Sequence, residues 1–369
     1  MALRWSRRLP WEHPENRLTR AVAERKASGL PVLDLTETNP TRVGIPYPEE
    51  ELAEILRRGA AAPYEPHPRG SLAAREALAE YLSCSPDDLV LTASTSESYS
   101  YLFKLFGDPG DEVLTAAPSY PLLDSLAALE GLTLSHFHCS PGRGLDIERI
   151  ELALTPRTRL LALIHPGNPT GVFLSPKEQA AVSELCVSRG LPLISDEVFA
   201  DYPLDGRRRE SVFGEALSFS LGGLSKSAGL PSWKLGWIRV SGPERRKAIE
   251  SLELIADSYL SVNTPVQRAL PDVLKIAPRI RSAILDRVKG NLETLKKLNP
   301  LEPEGGWSAV LRFGLPQTDE ELALELLDRG VLVHPGYFFD FETDDFLVLS
   351  LLPEPERFEE GIGQLAGCL

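Results

Sequence analysis

Cysteine is scarce in this 369-residue sequence, and the four present (Cys84, Cys139, Cys186, Cys368) are scattered, with no C-x-x-C pair and no metal-ligand spacing. That usage suits structural thiols in a reducing cytoplasm, and no metal site is expected. Long apolar runs are missing too: none reaches 18 residues, and the basic residues 1–10 lead into no apolar signal core. Neither a membrane span nor an export signal is therefore expected. Basic charge is in deficit, with 39 Lys and Arg against 53 Asp and Glu and a net charge of −14. Such a chain is not expected to bind nucleic acid or anionic membrane non-specifically. No internal repeat and no low-complexity linker are visible.

What is present is an ordinary globular composition, 43% hydrophobic and 25% charged, long enough for two domains. Residues 14–27 read as a helix in an N-terminal arm, 32–35 as a short strand and 49–58 as a helix. Residues 64–70 are too rich in Pro and Gly for regular structure, and Ser71 is placed to cap a helix reaching about residue 82. From residue 89 the pattern becomes strand, turn, helix. Strands are expected at 89–92, 112–115, 132–137, 159–164, 191–195, 217–221 and 235–240, with helices at 93–106, 121–129 and 176–188 among them. That alternation implies a buried, mostly parallel sheet with crossover helices.

Beyond residue 240 three helices are expected, near 243–259, 265–274 and 279–298. A smaller α+β unit follows, with strands at 308–313, 331–333 and 346–351 and helices at 318–328 and 355–365. The expected division is a large domain, 45–262, and a small one made of 1–44 plus 263–369.

The chain is organised around residues 217–237, where one lysine, Lys226, sits between Ser225 and Ser227 and is bracketed by small-residue turns. Taken alone it is a loop residue. Desolvated, so that its amine is neutral, it can attack a carbonyl and form a Schiff base. In parallel sheets ligands lie beyond the carboxyl ends of the strands. Ser94, Thr95 and Ser96 fall there, as do Asn168, Asp196 and Lys226.

This is the set that a pyridoxal phosphate site requires. Ser94-Thr95-Ser96 offers hydroxyls and helix-start N–H groups to a phosphate, and Tyr120 a ring to stack on. Asn168 can donate to a phenolic oxygen, Asp196 can keep the pyridine nitrogen protonated, and Lys226 meets the aldehyde.

The stretches Tyr64-Glu-Pro-His-Pro-Arg-Gly70, Asn168-Pro-Thr-Gly171, Asp196-Glu-Val-Phe199 and Ser225-Lys-Ser-Ala-Gly-Leu-Pro231 with Gly236-Trp237 carry a resemblance. In them and their order the chain resembles the class I/II aminotransferases, fold-type-I pyridoxal phosphate enzymes, over essentially its whole length. The resemblance implies an α/β fold with a mostly parallel seven-stranded sheet, and a smaller α+β domain built from the N-terminal arm and the C-terminal segment. It implies an amino donor, a keto acid acceptor, and a homodimer with sites at the interface; the cysteine usage places it in the cytoplasm. Lys226 and Asp196 are the implied catalytic residues. Ser94, Thr95, Ser96, Tyr120, Asn168, Phe199, Ser225 and Lys234 are implied cofactor contacts. Tyr64 would reach the phosphate site of the other subunit, with the Asn263-Thr264 turn close by.

Four positions depart from the family pattern. Phe199 stands where a tyrosine is usual, which is expected to raise the pKa of the internal Schiff base relative to a Phe199→Tyr variant. Gly223 replaces a phosphate-binding serine, and Lys234 replaces an arginine, keeping charge but not the bidentate fork. Val348 stands where an arginine normally clamps the substrate α-carboxylate. Arg42, and after it Arg312, are the candidates to take over that task; otherwise the substrate is not an ordinary α-amino acid. Tyr337 and its neighbours in the segment 334–340 are expected to shape the substrate pocket, and His165 and His334 to lie in or behind the site. Alternative outcomes are a lyase or decarboxylase on the same cofactor, or a non-catalytic pyridoxal phosphate sensor.

Overall fold

The structure, a computed structural model, describes residues 3–11, 15–60, 63–140, 142, 144–206 and 213–369. Its strands in chain order are β1 (Leu33–Asp34), β2 (Leu89–Thr92), β3 (Glu112–Ala117), β4 (Thr133–His138), β5 (Thr158–Ile164), β6 (Leu193–Asp196), β7 (Ser218–Gly223), β8 (Gly236–Ser241), β9 (Ser308–Arg312), β10 (Val331–Leu332), β11 (His334–Pro335) and β12 (Phe346–Ser350). The helices are α1 (Arg17–Ala27), α2 (Glu49–Ala60), α3 (Leu72–Leu82), α4 (Thr95–Phe106), α5 (Leu122–Leu129), α6 (Ile147–Ala153), α7 (Pro176–Arg189), α8 (Leu224–Ser227), α9 (Arg245–Asp257), α10 (Thr264–Leu295), α11 (Asp319–Asp328) and α12 (Pro355–Ala366).

Strands β2 to β8 form the expected seven-stranded sheet in the order β2-β8-β7-β6-β5-β3-β4. Only β8 runs against its neighbours, pairing antiparallel with both β2 and β7. Alternate residues of the central strands feed opposite faces. Leu160, Ala162 and Ile194 join Leu102, Phe103 and Leu252 of α4 and α9 on one face. Leu161, Leu163 and Leu193 join Ile150, Val182 and Leu185 of α6 and α7 on the other. Burying both faces is what makes these strands read as continuous apolar runs.

A second, antiparallel sheet has the order β11-β12-β9, and β1 pairs in parallel with β10. Leu35, Leu311, Leu347, Leu349 and Phe358 place this C-terminal assembly in one core with the face of α10 that carries Ile276, Ile280 and Ile284.

Several expectations are corrected. The two helices expected at 265–274 and 279–298 are one helix, α10, which runs through Pro271 and Pro278. Each proline removes a ladder hydrogen bond and costs about 3 kcal/mol in a helix interior. Against this α10 buries twelve residues, including Val266, Leu270, Val273, Ile280, Ile284, Val288 and Leu295. At about 1.5–3 kcal/mol per buried aliphatic side chain, the packing outweighs the breakers. Ser71 precedes α3 but makes no side-chain cap; its N–H donates instead to Oε1 of Gln267 on α10 at 2.6 Å. Helix α6, between β4 and β5, was not expected from the sequence. The first helix starts at Arg17, capped by Asn16, and residue 14 lies outside the described residues.

Candidate active site

The carboxyl ends of β2, β5, β6 and β7 open onto a cavity of about 520 Å³. Its opposite wall comes from the second sheet and the residues after β1: Thr36, Thr38, Ser308, His334, Val348 and Ser350.

Lys226 enters this cavity from α8, a single helical turn rather than a loop. The turn is fixed from several sides. Leu224 N–H donates to the Leu235 carbonyl at 2.9 Å, Ser227 Oγ donates to the Gly223 carbonyl at 3.0 Å, and the buried Tyr202 hydroxyl donates to the Lys226 carbonyl at 2.6 Å. Behind it, Arg281 binds Asp201 at 3.1 Å and donates to the Tyr81 hydroxyl at 3.0 Å. The Lys226 amine lies 4.9 Å from the Trp307 ring centroid and 5.5 Å from that of Phe199. Desolvation pushes its pKa down to about 8, with the charge of Asp196 acting in the opposite direction.

Asp196 ends β6 and is buried. Burial pushes its carboxyl up to about 6; the Val198 N–H and the Tyr99 hydroxyl, bonded to it, pull the other way. Oδ1 accepts from Val198 N–H at 3.2 Å and Oδ2 from Tyr99 Oη at 3.0 Å. It is a desolvated carboxylate with both oxygens oriented, suited to meeting a cationic ring nitrogen.

Ser94 is the N-cap of α4, its Oγ accepting from Glu97 N–H at 3.2 Å. Thr95 and Ser96 occupy the first turn, where N–H groups have no intrahelical acceptor and the helix dipole is positive. The Glu97 carboxylate accepts from Ala93 N–H and Ser261 Oγ, both at 2.6 Å. Lys234 belongs to this end of the cavity, because Thr92 pairs with Gly236 and a Cβ on Gly236 would lie 3.0 Å from the Ser94 carbonyl carbon. Lys234 adopts a left-handed φ of 49°.

Tyr120, Asn168, Phe199 and Ser225 also line the cavity. The Tyr120 turn is tied to the far wall by Ser119 N–H donating to the Phe339 carbonyl at 2.9 Å.

The substrate candidates divide. Val348 lines the cavity and is 2% exposed. Arg42 is not among the lining residues: its exposed guanidinium lies 3.7 Å from Glu37. Arg312 is likewise turned outward, 2.6 Å from Asp345. Tyr337 does not line the cavity either; its hydroxyl is 3.4 Å from Glu320, whereas the next residues, Phe338 and Phe339, do line it. Tyr64 is 72% exposed and outside this chain's own cavity.

His165 lies behind the site, fully buried, its backbone N–H donating to the Asp196 carbonyl at 2.8 Å and its Nδ1 accepting from Leu174 N–H at 3.1 Å. His334 faces the cavity, where burial lowers its pKa against the opposing charge of Asp34.

Tyr99, Tyr202, Trp307, Ser308, Thr36 and Thr38 were missed by the sequence reading. The one local signal was Gly305-Gly306 before Trp307: Gly306 has φ +86°, a left-handed turn that delivers the indole against Phe199 and Tyr202 at ring separations of 5.3 and 5.0 Å.

The donor set fits pyridoxal phosphate. A depressed amine, an enclosed carboxylate, an aromatic ring at Tyr120 and a hydroxyl-rich helix start beside a lysine share one cavity of adequate size.

Comparison with known proteins finds relatives along most of the chain. The family model for aminotransferase class I and II matches residues 45–360. The chain is 28% identical to alanine aminotransferase from Mycobacterium bovis, with 94% of this chain and 88% of the relative covered. It is 26% identical to glutamate-pyruvate aminotransferase AlaA from Haemophilus influenzae, covering 92% and 91%. Among solved structures, a single mutant of Thermus thermophilus aspartate aminotransferase aligns over 100% of both chains with a TM-score of 0.86 and 26% identity.

Proposed function

The chain belongs to the class I and II aminotransferases, pyridoxal phosphate-dependent enzymes that pass an amino group to a keto acid, and from that premise we propose that Lys226 and Asp196 carry the chemistry in the cavity described. The supporting observation is the pair itself: an amine lowered to about 8 and a buried, twice hydrogen-bonded carboxylate in one enclosure.

Bound pyridoxal phosphate supplies an electron sink for the donor's α-carbon. Asp196 would hold positive charge on the ring nitrogen, its carboxylate kept oriented by Tyr99 and Val198. Ser94, Thr95, Ser96, Ser225 and Lys234 would hold the phosphate, Tyr120 would offer a ring to stack on, and Asn168 would donate to the phenolic oxygen. With the cofactor bound, Lys226 Nζ would be the group placed to take the proton from the donor α-carbon and return it on the cofactor side.

A homodimer in which Tyr64 of each chain completes the other's phosphate site is part of the same proposal, supported by that residue's exposure away from its own cavity. So are a cytoplasmic location and the division into 45–262 and 1–44 plus 263–369. Among the described residues no helix is long and apolar enough to cross a membrane.

The test is to reduce the cofactor-loaded protein with borohydride, map the modified residue, and add amino donors without a keto acid. Modification at Lys226 and conversion of the cofactor to its amine form are expected. Release of CO2 or of an elimination product instead would assign the lyase or decarboxylase chemistry.

A further inference from the structure

We infer that Tyr202 is a positioning residue for Lys226. Its hydroxyl anchors the main-chain end of the lysine and its ring seats Trp307 against the amine end, so the amine is presented at one place in the cavity. This rests on the assignment of Lys226 to the cofactor given above.

The turn that carries the lysine cannot hold itself. Helix α8 is four residues long, Leu224–Ser227, and a single helical turn is unstable on its own. The lysine side chain adds a flexible four-carbon stem. Contacts through Tyr202 close a ring around both. At one end the Tyr202 hydroxyl donates to the Lys226 carbonyl at 2.6 Å. At the other, the Lys226 amine lies 4.9 Å from the centroid of the Trp307 ring. Between them the Tyr202 and Trp307 rings meet edge-on, 5.0 Å apart with an interplanar angle of 73°. The Tyr202 carbonyl also accepts at 3.1 Å from the N–H of Gly306, the residue before Trp307.

The arrangement lies within one chain, with Tyr202 fully buried and Trp307 1% exposed, so it does not depend on what a second subunit adds. Burial, reinforced by the neighbouring Asp201 charge, pushes the Tyr202 phenol well above its ordinary value, so the hydroxyl remains a donor at neutral and mildly alkaline pH. Packing alone would be met by a phenylalanine here. The Lys226 carbonyl already accepts from Gly229 N–H at 3.0 Å, so the hydroxyl adds a second bond to a satisfied group. Its effect falls on where the turn sits. A shift of the turn moves Nζ, and misplacing a reacting group by about 1 Å can slow a reaction by up to about a hundredfold. Tyr47 makes the same kind of bond to the Gly229 carbonyl, at 2.7 Å and three residues beyond the lysine, and supplies the comparison.

The experiment follows covalent capture of pyridoxal phosphate by the cofactor-free full chain, in which the Lys226 amine adds to the aldehyde and water leaves. Stopped-flow absorbance gives the rate. The Kd of pyridoxamine phosphate, which cannot link to the lysine, reports the rest of the cavity. Tyr202→Phe is expected to slow capture about tenfold, the effect of one hydrogen bond, with the pyridoxamine phosphate Kd unchanged within about twofold. Tyr47→Phe is expected to leave both within that factor. An unchanged capture rate in Tyr202→Phe overturns the inference. So does an equal slowing in Tyr47→Phe, or a matching loss of pyridoxamine phosphate affinity, because the cause is then a general loosening of the cavity. Should Tyr202→Phe not fold, Trp307→Phe takes its place, with the same expected slowing and the same overturning results. Borohydride reduction of the loaded parent separates the two levels. Modification away from Lys226 removes the cofactor assignment and this inference with it, whereas a modified Lys226 with unchanged capture in the variant removes this inference alone.

Discussion

The phenolic oxygen of Tyr99, on the second turn of α4, donates to Oδ2 of Asp196 at the end of β6, at 3.0 Å. One helix thus presents its N-terminus to the Ser94 end of the cavity and, four residues on from Thr95, a hydrogen bond to the carboxylate that would meet the ring nitrogen. The spacing between the two cofactor-binding ends is set by α4 as a rigid element.

Tyr99→Phe is expected to raise the Asp196 pKa above its present value of about 6, because the lost bond favours the ionised form. Cofactor affinity should fall by about tenfold, the size of one hydrogen bond to a charged group. The sign of the pH dependence is fixed: the protonated fraction grows as pH falls, so the loss is larger at pH 6 than at pH 8. Fluorescence titration of the apoprotein with pyridoxal phosphate at both values checks this, and an equal loss at each pH would count against the linkage.

Lys226 in the cofactor-free protein should be acylated with a midpoint near pH 8, against a model lysine's 10.5. Its folded pKa is depressed, so any contribution to stability is present above 10.5 and lost as pH falls through about 8. The Lys226→Met apoprotein should therefore be more stable than the parent at pH 7, by about 1–3 kcal/mol, and the difference should vanish by pH 10.5. Urea midpoints at the two pH values decide it.

Phe199→Tyr adds a hydroxyl to a ring that lies 5.5 Å from the Lys226 amine and edge-on to Trp307. A donor there stabilises negative charge on the cofactor's phenolic oxygen. The pH at which the bound cofactor's absorption band shifts should then drop by about one unit. Two superimposable spectrophotometric titrations would refute the expectation.

Gly59→Ala tests packing against propensity. Alanine is favoured over glycine in a helix by about 1 kcal/mol, but a Cβ at Gly59 of α2 would come within 2.7 Å of the Pro265 carbonyl oxygen at the start of α10. Overpacking against backbone costs about 1–3 kcal/mol, so the net change is expected to be destabilising. A lowered denaturation midpoint with an unchanged m-value is the predicted readout.

The sequence by itself determined the alternating strands and helices from β2 to β8, and with them the places where chemistry can sit. An apolar run followed by a polar residue marks a strand's carboxyl end whatever surrounds it, so Ser94, Asn168, Asp196 and Lys226 were legible in order. Only the tertiary structure decided the rest. The prolines of α10 read locally as breaks, and only a continuous buried face offsets them. Tyr99 and Tyr202 carry no local signal as partners of Asp196 and Lys226, and the glycines before Trp307 mark a turn without naming its target, because the contacts join elements far apart in sequence. Arg42 and Arg312 carried the right charge for a carboxylate, but the tertiary structure leaves both exposed and outside the cavity lining, beside Glu37 and Asp345. The pKa values of the lysine and the aspartate are likewise properties of their enclosure: desolvation depends on what packs around a group, and no spacing of residues along the chain contains that.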